Sequence, residues 1–169
     1  MSMRLTMLLA GLAGIAALFT PTVQAESAVV NSRLMTIGIA SKIAGAAVKS
    51  CADSGYQVSA VVVDRSGVVQ VVMRDVFASR FTIEIAQRKA NATILSGTST
   101  SAFRKNRGDI RAELNEIDGI LVLDGAVPIR AAGALLGAVG VSGAPGGDKD
   151  EACARAGVDS VLEQLEFVD

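Results

Sequence analysis

Histidine is absent from the 169-residue sequence, and this absence excludes more chemistry than any other feature of its composition. Imidazole is the commonest general base, proton shuttle and metal ligand that proteins use near neutral pH. A Ser-His-Asp triad, a Cys-His pair and a histidine-rich zinc site are therefore excluded together. We predict no catalytic residues from the remaining composition.

Aromatic side chains are scarce, and an excess of positive charge is missing. The chain has no tryptophan, one tyrosine and five phenylalanines, too few to build stacking platforms for bases or sugars. Its formal net charge is −1, whereas surfaces that bind nucleic acids or membranes normally carry a basic excess. We therefore expect no nucleic-acid partner and no membrane contact in the mature protein.

Residues 1–25 have the order of a cleavable secretory signal. Arg4 is their only charge, an apolar stretch follows over residues 5–19, and Val23-Gln24-Ala25 puts small residues where a signal peptidase reads them. A retained membrane anchor is the weaker alternative, because about 15 apolar residues are fewer than the roughly 20 that span a bilayer. The sequence predicts cleavage after Ala25, a single domain over 26–169, and a periplasmic or secreted location.

The two cysteines, Cys51 and Cys153, are too far apart for a CxxC redox or metal motif. An oxidising compartment favours a disulfide between them, and two buried free thiols are the alternative. The bridge would close a loop of about 100 residues, which is worth about 4–5 kcal/mol in the chain-entropy model.

Apolar periodicity in the mature chain predicts an α+β fold in which helices cover an antiparallel sheet of about five strands. Val61, Val62 and Val63 are consecutive, so both faces of their strand should be covered. Pro128 indicates an edge strand, because proline cannot donate to a strand ladder. The predicted elements are helices over 32–53, 82–95 and 148–165, a hairpin with strands over 58–63 and 68–73, and strands over 120–123, 127–130 and 135–142.

Three further features carry predictions. The small residues Ala138, Gly140 and Ser142 share one strand face, where they would let a helix approach the sheet closely. Residues 96–118 are polar and irregular, and so long a stretch is usually a functional loop or a short helix with flanking turns. The glycines of residues 137–147 match no phosphate-loop spacing and are better explained by strand packing and a turn.

The clearest candidate site lies around the end of the second valine-rich strand and the following helix. Met73 is a candidate haem-iron ligand, and Arg74, Arg80 and Lys89 are candidate partners for an anionic group such as a propionate, with Phe81 beside them. The alternative is a core methionine with a solvated cationic rim.

The mature chain resembles the GlcG/HbpS/PduO C-terminal family over nearly all of its length. The resemblance rests on four segments, of which the glycine-punctuated strand and its acidic helix start are the most specific. These segments are Val61–Gly67, Ala86–Ala90, Val127–Arg130, and Gly137–Gly143 followed by Asp150-Glu151.

The resemblance implies a profilin-like, three-layer α/β/α fold, homo-oligomeric assembly and, in some members, haem binding. Thr100 lies in a Thr-Ser-Ala-Phe segment similar to one in relatives, and is a further candidate ligand-binding residue. Many exported relatives carry a histidine where this chain has Arg80-Phe81-Thr82. Any haem would therefore need a methionine, tyrosine, lysine, thiolate or oxygen ligand, or would lack a strong axial bond.

Three functional hypotheses follow from these observations. The first is an exported, non-enzymatic protein that binds haem or a related flat anionic ligand. The second is an enzyme that acts on a small organic acid through carboxylate, Lys89 or Arg130 chemistry. The third is an accessory oligomer without a ligand.

Overall fold

The hairpin predicted around Asp64 forms the first half of the sheet in the computed structural model, which describes residues 28–30 and 32–166. Asp64 Oδ1 accepts hydrogen bonds from the backbone N–H groups of Ser66 (2.8 Å) and Val68 (3.0 Å). These bonds close the turn between β1 (Ser59–Asp64) and β2 (Val69–Arg74). Asp side chains favour such turns because they bond to backbone donors two residues further along the chain.

Four strands make up the sheet of the described residues, in the order β2-β1-β4-β3, and every neighbouring pair is antiparallel. β3 (Ala126–Ala131) and β4 (Ala134–Ser142) follow each other in the chain. Pro128 lies in β3 at an edge of the sheet, as the sequence predicted.

One of the five predicted strands, that over residues 120–123, does not form. The N–H of Leu121 donates instead to the carbonyl oxygen of Arg88 (3.1 Å), and that of Val122 donates to Asn115 Oδ1 (2.8 Å). These backbone donors are therefore satisfied by a helix and a side chain. The apolar run of this segment therefore does not pair as a strand, and Val122 is its one buried residue.

The helices differ from the prediction mainly at their ends. The first predicted helix begins at Ile37, where Thr36 caps it. The predicted helix over 148–165 begins at Gly147, so Asp148 lies inside its first turn. The long final helix is divided near Ser160. The helices are α1 (Ile37–Asp53), α2 (Phe81–Ser96), α3 (Thr100–Asn106), α4 (Arg111–Asn115), α5 (Gly147–Asp159) and α6 (Leu162–Glu166), with a 3₁₀ turn at Gly108–Ile110.

Helices cover both faces of the sheet, which confirms the predicted mixed α/β architecture. Val62 contributes to the core beneath α1 and α5, whereas Val61 and Val63 pack against α2. α2 approaches β4 so closely that a Cβ atom on Gly140 would collide with the carbonyl oxygen of Ala86. The row of small residues on β4 therefore has the predicted packing role.

A disulfide joins Cys51 of α1 to Cys153 of α5, with 5.5 Å between their Cα atoms. Both cysteines are buried in the core, so the bridge fastens the two helices of one layer. The described residues from Ser32 onward belong to one compact unit. None of the helices in the described part of the chain combines the length and apolar character needed to cross a bilayer. The predicted signal at residues 1–25 lies outside the described residues.

Candidate ligand-binding groove and polar cleft

The short helix α3 has a cavity on each side, and its position is fixed by its first turn. Ser99 Oγ caps the helix by accepting a hydrogen bond from the N–H of Ala102 (3.3 Å). The buried hydroxyl of Thr100 accepts from the N–H of Ala126 (3.0 Å) and donates to the carbonyl oxygen of the same residue (3.4 Å). α3 is thereby held against the start of β3.

The larger cavity, here called the α3 groove, has a volume of about 440 Å³. This lies within the range of roughly 300–1,000 Å³ that is typical of small-molecule sites. The end of α2, α3, the 3₁₀ turn and α4 each contribute to its walls. The lining residues are Leu95, Ser96, Thr98, Phe103, Asn106, Arg107, Ile110 and Leu114.

Four apolar side chains and one cation define the chemistry of the α3 groove. The Arg107 side chain is half exposed, and its Nε and Nη2 donate to the two carboxylate oxygens of Asp109 (3.2 and 3.4 Å). Hydrogen bonding from Arg107 lowers the pKa of Asp109 below its ordinary value, which keeps the pair ionised. Because a guanidinium has five N–H donors, Arg107 retains donors for an anionic ligand.

The smaller cavity, here called the polar cleft, lies on the other side of α3 and has a volume of about 260 Å³. Glu151 Oε1 accepts from Ser101 Oγ (2.7 Å) and Arg155 Nη2 (3.1 Å), and its Oε2 accepts from the N–H of Ser101 (3.2 Å). The cleft is lined by Ser101, Asp124, Asp148, Glu151, Ala152 and Arg155.

Behind the polar cleft, Lys89 and Asp150 form a buried ion pair with 2.8 Å between Nζ and Oδ2. Lys89 Nζ also donates to the carbonyl oxygen of Val141 (3.0 Å), and Asp150 Oδ1 accepts from the N–H of Ala144 (3.0 Å). Only 1% of the Lys89 side chain and 4% of the Asp150 side chain are exposed. Burial raises the pKa of the Asp150 carboxyl, although Lys89 opposes this shift.

The glycine at position 125 makes room for this ion pair. A Cβ atom there would lie 2.7 Å from Lys89 Nζ, and its φ of +132° disfavours other residues. Lys89 is thus enclosed on all sides and holds the backbone of β4 to α5. The structure therefore places the Lys89 amine inside the fold, where its contacts link β4 and α5.

The six residues predicted to bind a ligand fall into three places. Arg74, Arg80 and Phe81 lie together around the loop between β2 and α2, where the Arg80 guanidinium stacks 4.4 Å from the centroid of the Phe81 ring. Arg74 Nη1 donates to the carbonyl oxygen of Ala78 (2.6 Å). Lys89 and Thr100 are buried on either side of the start of β3. Lys89 lies beside Gly125, and Thr100 bonds to Ala126.

Met73 lies apart from the other five. It packs against the core on the α1 side, with Sδ 3.7 Å from the point that a Cβ on Gly45 would occupy. Successive residues of a strand face opposite sides of a sheet, so Met73 and Arg74 point away from each other. Arg130 is likewise occupied, because its Nη2 donates to the carbonyl oxygen of Gly97 (2.7 Å).

The sequence did not identify the α3 groove by its residues. Leu95 lies at the end of the long helix α2, and Phe103 and Ile110 belong to two short elements, so no local pattern unites them. The one signal was the length of the irregular segment 96–118, which was predicted to be a functional loop or a short helix with turns. That segment supplies most of the groove.

Comparison with known proteins identifies the family to which this chain is similar. The model of a family described as haem degrading protein HbpS-like matches residues 35–159. A crystal structure of HbpS is 38% identical and covers 81% of this chain and 97% of its own, with a TM-score of 0.74. A double mutant of Streptomyces reticuli HbpS is 36% identical, covers 83% of this chain and 95% of its own, and has the same TM-score of 0.74.

More distant structures share the fold alone. The haem complex of PduOC is 19% identical, covers 76% of this chain and 95% of its own, and has a TM-score of 0.66. No protein with a curated description matches the sequence significantly. The match to the family model and the identity with HbpS are sufficient to conclude that the chain belongs to the HbpS-like family.

Proposed function

We propose that the protein is an exported binding protein for haem, or for a related flat anionic ligand, and that the α3 groove is its binding site. The observation that carries the proposal is membership of the HbpS-like family, whose description names haem as the molecule acted on. The haem complex of PduOC, a protein of the same fold, adds support.

The walls of the α3 groove suit a flat ring with carboxylate substituents. Leu95, Phe103 and Leu114 offer apolar surface, and burial of such surface stabilises a complex by about 25 cal/mol per Å². An aromatic side chain that packs on a ring adds about 0.5–1.5 kcal/mol. Arg107 stands among these residues as a partner for a propionate, since guanidinium–carboxylate hydrogen bonds are charge-assisted.

The groove fits the ring and the carboxylates of haem but not its iron. Among the described residues that line it, the only uncharged donor atoms belong to the hydroxyls of Ser96 and Thr98 and the amide of Asn106. Proteins hold haem iron through histidine, thiolate, methionine or tyrosine. The chain lacks histidine altogether, and its two cysteines are joined in the disulfide.

Binding is a better description of the groove than catalysis. Besides Arg107, the described lining contains no titratable side chain that could act as a general acid or base. Lys89 and Arg130, the residues of the organic-acid hypothesis, are both occupied by contacts within the fold. The disulfide supports export, because such bridges persist mainly in oxidising compartments.

A haemin titration of the mature protein, residues 26–169, tests the proposal. We expect a saturable Soret shift at micromolar haemin, and the absence of saturation would refute haem binding. Phe103→Ala and Arg107→Glu should weaken this binding, whereas Met73→Ala on the opposite side of the sheet should leave it unchanged. Circular dichroism of each variant verifies that the fold is retained.

A second surface deserves the same titration because it holds the ligand-binding residues predicted from sequence. Phe77 and Phe81 in and after the β2–α2 loop are 84% and 59% exposed, and Arg80 lies beside them. If Arg80→Glu and Phe81→Ala abolish haemin binding while Phe103→Ala and Arg107→Glu do not, the site belongs to this loop and the α3 groove is refuted.

We also propose that the protein forms a homo-oligomer. β2 lies at an edge of the sheet, and Val68, Val72 and Val76 on or beside it are 61%, 45% and 74% exposed. Apolar surface next to an unpaired strand edge is typical of a surface that another chain covers. Light scattering coupled to gel filtration should give a mass above that of the monomer, and Val72→Lys should lower it.

A further inference from the structure

The donor atoms of the α3 groove lead to an inference about its ligand class, which rests on the proposed function. We infer that the groove recognises the anionic porphyrin ring itself and is indifferent to the metal at its centre. Metal-free protoporphyrin IX should therefore bind about as tightly as haemin.

The first step is the lining itself. Its hydroxyl and amide oxygens are neutral, hard donors, whereas iron in porphyrins is held by imidazole, thiolate, thioether or phenolate groups. Lys105, the amine of α3, does not belong to the lining although Asn106 and Arg107 do. No residue of the described lining can therefore make a strong bond to iron.

The second step is the position of the soft or basic donors that the described structure packs into the core, all of which lie away from the α3 groove. Met73 and Tyr56 pack against the core on the α1 side of the sheet, and Met35 is buried in that core. Lys89 is enclosed in its ion pair with Asp150. A movement that brought one of them to the α3 groove would have to disrupt the core.

The third step is the source of affinity that remains. The apolar side chains of Leu95, Phe103, Ile110 and Leu114 can contact the faces of a porphyrin whether or not it carries a metal. Arg107 meets carboxylates at the edge of the ring, where the charge is the same for haemin and for the metal-free compound. The discrimination expected of the groove is therefore between anionic and neutral rings.

A competition experiment with the mature, disulfide-bonded protein tests this inference. Protoporphyrin IX is titrated and followed by its own fluorescence, and haemin and gallium protoporphyrin IX are then added as competitors. We expect the dissociation constants of the three compounds to agree within about threefold. Such a ratio is smaller than the tenfold ratio that corresponds to about 1.4 kcal/mol of binding free energy. The dimethyl ester of protoporphyrin IX, which lacks the carboxylates, should bind more weakly than all three.

Variants on the two sides of α3 provide the matched control. Phe103→Ala and Arg107→Ala should weaken the binding of haemin and metal-free protoporphyrin by the same factor. Arg155→Ala removes an exposed arginine that is paired with a carboxylate at 3.1 Å, much as Arg107 is, but on the polar cleft, and it should change neither affinity. If Phe103→Ala unfolds α3, Arg107→Ala alone still tests the inference, because the side chain of Arg107 is half exposed.

The possible outcomes separate this inference from the proposed function. Haemin affinity at least about tenfold above that of metal-free protoporphyrin would show a protein–iron bond and overturn the inference, while haem binding would stand. If none of the three compounds binds, the proposed function itself fails. Added imidazole gives an independent readout: it should shift the Soret band of the haemin complex readily, because no strong protein ligand occupies the iron.

Discussion

The buried charges at the polar cleft differ from the exposed arginine of the α3 groove in the partners that they bind. In the polar cleft and behind it, Lys89, Asp150 and Glu151 are buried, and each bonds to partners from other parts of the chain. In the α3 groove, Arg107 is half exposed, and its one ion pair among the described residues is with a near neighbour in sequence, Asp109. The buried charges of the cleft side hold separate elements of the fold together, whereas the exposed guanidinium of Arg107 can bind a ligand. Mutations on the two sides should therefore affect different properties.

The largest effect should come from the disulfide, which holds α5 and hence the cleft side in place. Cys51 and Cys153 are 102 residues apart, and opening a loop of that length costs about 4–5 kcal/mol of unfolding free energy in the chain-entropy model. Urea unfolding of the Cys51→Ala/Cys153→Ala protein measures this loss, with the reduced wild type as a control. The haemin affinity of the folded double variant should be unchanged. A loss of affinity together with the loss of stability would show that the α3 groove depends on the disulfide.

Lys89→Met should destabilise the protein by about 3–5 kcal/mol, because it leaves the Asp150 carboxylate buried without its cation. The matched control is the Lys89→Met/Asp150→Leu protein, in which both charges are removed. Part of the stability should return in this double variant, and the rest stays lost because Asp150 also accepts from the N–H of Ala144. If the double variant is less stable than the single one, the ion pair is not the origin of the effect.

Asp150 should give a pH dependence of unusual sign. Burial raises its pKa in the folded state, so between the unfolded and folded pKa values the native protein binds the extra proton. The contribution of Asp150 to the unfolding free energy is then greatest at low pH and is lost as the pH rises through the folded pKa, by at most about 1.4 kcal/mol per pH unit. The difference in stability between wild type and Asp150→Asn, measured by urea unfolding from pH 4 to 7, should shift in this direction, and the opposite slope would refute it.

The smallest effect on stability should come from the groove. Arg107→Ala should change the unfolding free energy by no more than about 0.5 kcal/mol, because exposed ion pairs contribute little. It should nevertheless weaken haemin binding by about five- to tenfold through the loss of a carboxylate contact. Calorimetric binding and urea unfolding of the same preparation measure both quantities. A large change in the unfolding free energy would show that Arg107 stabilises the fold, as Lys89 and Asp150 do.

Local chemistry made much of the fold predictable from the sequence. The Asp64–Gly67 turn, the coverage of both faces of β1 and the edge position of Pro128 depend on neighbouring residues and on periodicity, and each is found as predicted. The prediction of a strand over segment 120–123 was wrong because an apolar run does not determine hydrogen-bond partners, and its partners Arg88 and Asn115 are set by the tertiary structure.

The candidate site was much less predictable, since it depends on contacts between distant residues. Lys89 was selected from sequence as a ligand for an anion, and its partner proved to be Asp150, 61 residues further along the chain. Neither residue's local sequence reveals that they meet, or that Gly125 leaves the space between strands and helix in which they do. The α3 groove likewise exists only after α2, α3 and α4 are brought together.

The disulfide also determines what a protease would leave behind. The chain between Cys51 and Cys153 forms a closed covalent ring that includes the whole of α3 and the groove. A single cut beside the exposed Arg104, Lys105 or Arg107 would sever the ring once and leave both pieces attached through the bridge. Damage to the α3 groove would then release no fragment until a reductant was added, so a preparation of unchanged size on a non-reducing gel could already have lost the ligand binding that we propose.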